Sequence, residues 1–433
     1  MMRRRLTGVG RQLSSWPNIP GTELAVEAEC SWRKIGARVV SHGRTCLAVV
    51  GDETSSQAER CLFELRKIGI NCVVFTARGS YPTSDGIDEA REMAKRIGAS
   101  SIVGIGSGGV VDTAKGTARL HTSSGGCKHF LSSPGGVLMG EGSASEPRKP
   151  VGDQLPLVMV PTSAGSGAAA NNRCLVWHPE DEVLVPMSTS SWGGSVSLAL
   201  VDPLLCTSLN NAQTVATALT ALSACVDAFV AWELGASAGS FSKDESHGFL
   251  EVGTRGIRSV GEGLPRALKG GRDPSARELL CMGSVCAGQL SSITPAPPTQ
   301  LLARAAGSLL CRQSYSSVCA TVFPHVVGDL LDQADSFDVD TQVSEAIERA
   351  LSRSASALLG DGSKGQALLS WLENQERDWL GLGCLSALDS TLTAKEVATN
   401  VEMLLALEKD KEAADRIWNG SGVVLDVAER VVG

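Results

Sequence analysis

The chain has 433 residues, enough for two or three domains, and is 43% hydrophobic and 20% charged, as expected of a globular protein with a sizeable core. A formal net charge of −8 and an aromatic content of 4% exclude nucleic acid and anionic membrane surfaces as expected partners. The 13 cysteines form no CxxC pair and the 6 histidines no HxxxH or HExxH, which favours reduced thiols in a reducing compartment over a disulfide frame, zinc knuckle or helical histidine pair.

The N-terminus carries Arg3, Arg4, Arg5 and Arg11, with Ser14 and Ser15, and no acid before Glu23. It lacks the apolar centre of a secretory signal. This is the composition of an organellar transit peptide, so mitochondrial import is the expectation, with a cytoplasmic protein bearing a basic tail as the alternative. Residues 1–22 are set apart as that segment, 23–205 as an α/β domain and 206–433 as a helical domain.

A short α/β lead-in occupies residues 24–42. Residues 44–52 read as a buried strand ending in Asp52. Ser55 to Lys67 is amphipathic, with Ala58, Leu62 and Leu65 on one face, and Gly69 stops it. A second strand covers 71–75, and Pro82-Thr83-Ser84 caps a helix running to about Ile97. Ile102 to Ile105 is an apolar run, broken by Gly106, Ser107, Gly108 and Gly109, after which Val110, Val111 and Ala114 restart at helical spacing. Strand, glycine turn and helix start form the geometry that presents backbone N–H groups to an anion such as a pyrophosphate. The plain alternative is an ordinary tight βα turn. Strands alternating with helices give a doubly wound parallel sheet, with ligands at the carboxyl ends of its strands. An acid at the position of Asp52 would accept hydrogen bonds from ribose hydroxyls and repel a 2′-phosphate.

Residues 121–155 are rich in glycine and serine and read as a loop or flap. Residues 156–160 are a strand, followed by a second small, hydroxyl-rich turn at 161–167 containing Thr162, Ser163 and Ser166. A last strand, 197–201, leads to Asp202-Pro203. From Asn210 the chain reads as helical over 212–232, 250–260, 276–290, 301–310, 341–359 and 394–407, with Pro295-Ala296-Pro297-Pro298 as a firm breaker. Val215 to Trp232 is long and apolar, but Thr217, Thr220, Ser223 and Asp227 make it a buried core helix rather than a membrane span.

In this order these segments resemble the iron-type alcohol dehydrogenases, with the related maleylacetate reductases and hydroxyacid–oxoacid transhydrogenases. Residues 102–118 are similar to that family's strand–GGGS–xxDxAK pattern, 161–167 to its PTTxGTGSE segment, Ala199 to Pro203 to its strand ending in DP, and Val318 to Val326 to its NAxxxPHV segment. The resemblance covers most of residues 24–410. It implies a doubly wound parallel-sheet nucleotide domain followed by an all-α domain, the dehydroquinate synthase-like arrangement, with the reaction in the cleft between them. It implies that Gly106, Ser107, Gly108 and Gly109 hold a pyrophosphate, that Asp112 and Lys115 line the nicotinamide side, and that Thr162, Ser163 and Ser166 contact the cofactor from the second turn. Asp52 would favour NAD over NADP.

The resemblance also implies a divalent metal on a DAxxH helix and two further histidines, and here the sequence departs. Thr220 stands at the Asp position and Ala224 at the His position. Arg304 and Tyr315 are the nearest matches to the two later histidines, while His325 matches the His of the PHV segment, which is not a ligand. Ala168 and Ala169 replace an acid and a glycine of the second turn. A hydroxyl, a methyl, a guanidinium and a phenol cannot hold Fe²⁺ or Zn²⁺ as carboxylate and imidazoles do, so no catalytic metal is expected. The expected function is an NAD(H)-dependent oxidoreductase acting on a small alcohol, carbonyl or keto acid, with Arg304, Tyr315 and Thr220 in place of the metal. The alternatives are a conventional metal-dependent alcohol dehydrogenase and a nucleotide-binding pseudoenzyme with a regulatory or partner role. The expected partner is a small molecule, without nucleic acid or membrane, and a homodimer is the candidate assembly.

Overall fold

A computed structural model describes residues 22–51, 55–131, 152, 154–178, 182–188, 197–234, 243–294, 297–310, 313–336, 339, 341–381, 383–406 and 421–433. The arginine-rich segment, Asp52 and most of the 121–155 flap lie outside them.

Strands β1 (Thr22–Val26), β2 (Thr45–Gly51), β3 (Asn71–Ala77), β4 (Ser101–Gly106), β5 (Leu157–Pro161) and β8 (Ser197–Val201) form one parallel sheet in the order β1-β8-β5-β4-β2-β3. The crossovers are helices α1 (Cys30–Val40), α2 (Ser55–Lys67), α3 (Ser84–Arg96) and α4 (Gly108–Leu120). The period-2 alternation of the strands separates two cores. On one face Cys46, Ala48, Val50, Val103 and Ile105 pack with Ile35 and Val39 of α1 and with Cys61 and Leu65 of α2. On the other, Leu47, Val49 and Ile102 pack with Ile87 and Ala90 of α3 and with Val111 and Ala114 of α4. The chain leaves β2 for β3 on one side and returns to β4 on the other. The topological switch therefore falls between β2 and β4, where a ligand crevice opens beyond the strand ends. Asp202, at the end of β8, is fully buried and accepts from Glu29 N, Ser31 N and Ser31 Oγ, which ties the start of α1 to the sheet.

One part of this half was not anticipated from sequence. Strands β6 (Arg173–His178) and β7 (Val183–Ser188) pair antiparallel as a separate ribbon. Trp177 N donates to Pro82 O at 2.8 Å, which docks the ribbon on the turn ahead of α3.

Beyond β8 every described element is helical: α5 (Asn211–Glu233), α6 (Lys243–Lys269), α7 (Pro274–Ser291), α8 (Pro298–Leu309), α9 (Tyr315–Asp335), α10 (Thr341–Leu359), α11 (Gly365–Gln375), α12 (Ala394–Ala406) and α13 (Ser421–Val432), with short 3₁₀ and π turns between them. Helices α9, α11 and α13 go beyond the sequence reading. In α9 the obstacle is Pro324, which sits inside the helix. The apolar window of α5 is 94% buried inside the protein, so neighbouring helices cover the surface that lipid would otherwise have to cover. The Pro295–Pro298 breaker is where α8 starts, with proline in its first turn, the helical position that needs no N–H partner.

Candidate active site

The carboxyl end of β4 runs into Gly106, whose carbonyl accepts from Thr162 N at 2.9 Å, so the two small-residue turns lie side by side. Ser107 is the N-cap of α4 but makes no side-chain capping bond. The turn has no room for side chains. A Cβ on Gly108 would lie 2.9 Å from Ser166 Oγ, and one on Gly109 would lie 2.8 Å from the Ser80 carbonyl oxygen.

Over this turn lies a cleft. Gly108, Gly109 and Asp112 of α4 form one wall with Ser166, Tyr81 and Arg173. Ser291 of α7, Gln300 and Arg304 of α8, and Tyr315 of α9 face them from the helical side. A smaller pocket adjoins it, lined by Gly108, Ser163, Ser166 and Gly167.

The structure thus brings Gly108, Gly109, Asp112, Ser166, Arg304 and Tyr315 to one cleft and Ser163 to its neighbour. Gly106, Ser107, Thr162, Lys115 and Thr220 line neither. Lys115 is buried, and its Nζ donates to Asp112 Oδ1 (3.2 Å), Asn171 Oδ1 (2.8 Å) and the Arg173 carbonyl (2.8 Å). It is a strut between α4 and the segment leading into the ribbon, and it does not itself line the cleft. Thr220 is also buried, and its hydroxyl donates to the Ala216 carbonyl at 2.8 Å, with the Ser316 carbonyl at 3.4 Å. That proton is engaged within the helix pair, so the expected third donor to a substrate does not reach the cleft.

Burial pushes the Asp112 carboxyl up, opposed by Lys115 and by the Leu175 N–H that Asp112 accepts. Burial also pushes the Tyr315 phenol well above its ordinary range, which keeps it a neutral O–H donor. Its hydroxyl lies 3.5 Å from the Gln300 carbonyl, and Arg304, 4% exposed, supplies a positive charge near it.

Asp227 of α5 lies behind this wall, 1% exposed, and its carboxylate accepts from Thr299 N, Thr299 Oγ1 and Gln300 N. Burial raises its carboxyl from 3.8 to about 7 against the pull of those hydrogen bonds. Nearby Cys225, Cys319 and Tyr315 are themselves pushed up by burial and stay neutral through this range. A folded value above the unfolded one means that the native state binds the proton more tightly. This contribution to stability is complete below the unfolded value and is lost as pH rises through the folded one. In Asp227→Asn, melting temperature followed against pH is expected to lose that part of its decline between about pH 4 and 7.

Thr220, Ala224, Arg304 and Tyr315, which the resemblance sets nearest the family's ligand positions, include neither carboxylate nor imidazole. Among the described residues no three His, Cys, Asp or Glu side chains gather as a ligand set.

Sequence reasoning did not include Tyr81, Arg173, Gln300 or Asn171 in the site. Arg173 and Asn171 reach it through the ribbon and the segment before it, which no motif announces. One signal was available: the chain has only two tyrosines, Tyr81 and Tyr315, and both line this cleft.

A doubly wound parallel-sheet domain, facing a helical domain across a cleft at the glycine turn, defines the architectural class. Within that class, residues 25–203 match the iron-containing alcohol dehydrogenase family. The chain is 23% identical over 259 residues to the NAD-dependent methanol dehydrogenase of Bacillus methanolicus, covering 59% of this chain and 61% of that protein. It is 25% identical to the 1,3-propanediol dehydrogenase of Citrobacter freundii, covering 62% of each. The chain thus spans about three fifths of these curated relatives' length. An archaeal halo-thermophilic alcohol dehydrogenase from a Red Sea brine pool has the same fold, with a TM-score of 0.75 at 17% identity, over 95% of this chain and 97% of that one. So does the NADH-dependent butanol dehydrogenase A of Thermotoga maritima, with a TM-score of 0.72 at 18% identity and the same coverage.

Proposed function

We propose that this protein is an NAD(H)-dependent oxidoreductase acting on a small alcohol, carbonyl or keto acid, with Arg304 and Tyr315 polarising the substrate oxygen in place of a metal. The observation that carries the reading is convergence. The cradle at Gly108 and Gly109, which side chains would fill, opens into the same cleft as a buried guanidinium and a neutral phenol. The relatives whose names state an NAD or NADH dependence support the cofactor.

Backbone N–H groups at the start of α4 would hold the pyrophosphate, helped by the positive end of the helix dipole. The cofactor, when bound, supplies or accepts hydride. Arg304 and Tyr315 would donate to the carbonyl oxygen as negative charge develops there. A guanidinium also suits a carboxylate-bearing substrate, which it can hold in bidentate fashion. A substrate screen followed by NADH absorbance, with and without chelator, tests the reading, and chelator-resistant turnover is the expected result. Turnover lost to chelator together with stoichiometric iron or zinc would restore the metal-dependent alternative. NADH binding without turnover of any carbonyl would leave the pseudoenzyme.

Gly108→Val is expected to weaken NADH binding at least about tenfold, a loss of about 1.4 kcal/mol, because the added atoms meet Ser166 Oγ and fill the cradle. Calorimetry checks this, and unchanged affinity would remove the turn from the binding site. The preference for NAD over NADP rests on Asp52 and is tested in the same calorimeter. The arginine-rich start of the chain is proposed as a mitochondrial import segment.

A further inference from the structure

Helix α8 begins with a difficulty written into its sequence. Its N-cap, Pro297, makes no side-chain capping bond, and Pro298 brings no N–H. The first donors of the helix are therefore the amides of Thr299 and Gln300, and both are buried or nearly so. An unsatisfied buried N–H is costly, so a partner is required. It comes from another helix: Asp227 Oδ1 accepts from Thr299 Oγ1 at 2.8 Å and Thr299 N at 3.3 Å, and Oδ2 accepts from Gln300 N at 3.2 Å. A buried carboxylate at a helix N-terminus is also favoured by the helix dipole.

The consequence reaches the cleft by short steps. Gln300 and Arg304 are four residues apart on α8 and both face the cleft. The Gln300 carbonyl lies 3.5 Å from the Tyr315 hydroxyl, and Gln300 Nε2 donates to Ser291 Oγ at 3.2 Å. Helix α5 is tied to α9 as well, by Thr220 Oγ1 to the Ser316 carbonyl and by Ser223 Oγ with Cys319 Sγ at 3.3 Å. The helices that carry Thr220, Arg304 and Tyr315 are thus joined by direct polar contacts.

We propose that Asp227 is a positioning residue for this cleft: it holds the first turn of α8 from below and so fixes Gln300, Arg304 and the Tyr315 hydroxyl against the cofactor side. Asp227 itself does not line the cleft, so its action is through α8. This inference rests on the proposed oxidoreductase reading for its kinetic consequence, but not for its structural one.

Hydrogen–deuterium exchange on the full chain separates the two. Asp227→Ala is expected to speed exchange of the amides at 299–304 by at least about tenfold, with the first turn of α4 unchanged. Asp227→Asn, which keeps one acceptor oxygen, should restore much of the protection and also serves if the alanine variant does not fold. In turnover, Asp227→Ala should lower kcat about tenfold or more while the NADH dissociation constant stays within about twofold, and Asp227→Asn should recover part of kcat. Unchanged exchange at 299–304, or a rise spread evenly over the helical half, would overturn the inference, as would equal losses in kcat and NADH affinity. A parent protein that neither binds nor oxidises NADH would sink the oxidoreductase reading, and the exchange comparison would still decide the role of Asp227.

Discussion

Arg304→Ala is expected to lower kcat by about 10²–10³ while the NADH dissociation constant stays within about twofold, the pattern left by removing one preorganised donor to a developing oxyanion. Hydride attack on a carbonyl puts negative charge on its oxygen, and a group must meet that charge. Arg304 is 4% exposed, shares the cleft with the glycine cradle and stands near the phenol of Tyr315. Low local dielectric makes its charge count for more than it would in water. Arg304→Lys should not rescue, since an ammonium is a point donor without the planar fork. Tyr315→Phe should give a smaller loss of the same kind. Steady-state kinetics with NADH calorimetry on the same preparations checks the split. Equal activity in the alanine variant would remove Arg304 from the chemistry.

Gly167→Val is expected to destabilise the fold severely, by about 1–3 kcal/mol for backbone strain and about 1–3 kcal/mol more for overpacking. Gly167 has φ +63°, a left-handed conformation that side-chain-bearing residues rarely adopt. A Cβ there would also overlap the Ser284 carbonyl and the backbone of Gly288 in α7, and a Cβ on Gly288 would meet Gly167 in return. Two glycines therefore let the second turn of the α/β half touch the helical half backbone to backbone. Chemical denaturation compared with the parent measures the loss. A variant within about 0.5 kcal/mol of the parent, the range of ordinary surface substitutions, would show that this contact is not the tight one described.

The α/β half was legible in the sequence because its signals are local. β4 is a short apolar run stopped by glycines, α2 and α3 carry 3.6-residue stripes, and β1 to β4 are each separated by one helix. Such patterns depend on neighbours a few residues apart, which the chain itself specifies. Of the site residues that the iron-type resemblance implied, Gly108, Gly109, Asp112, Ser166, Arg304 and Tyr315 line one cleft.

Only the tertiary structure decided the rest. Lys115 and Thr220 carry polar groups that sequence reading sends to a ligand, but burial obliges each to find a nearby partner, and those partners are protein atoms. Arg173 reaches the cleft because the β6–β7 ribbon folds back onto the Pro82 turn, a long-range contact with no local signature. Asp227 read as one polar residue in an apolar helix. Its role depends on a helix that begins more than seventy residues later with prolines and so lacks its own cap. Periodicity shows which residues a helix buries. Which unsatisfied donor a buried carboxylate answers depends on packing between helices, and only the assembled fold fixes that.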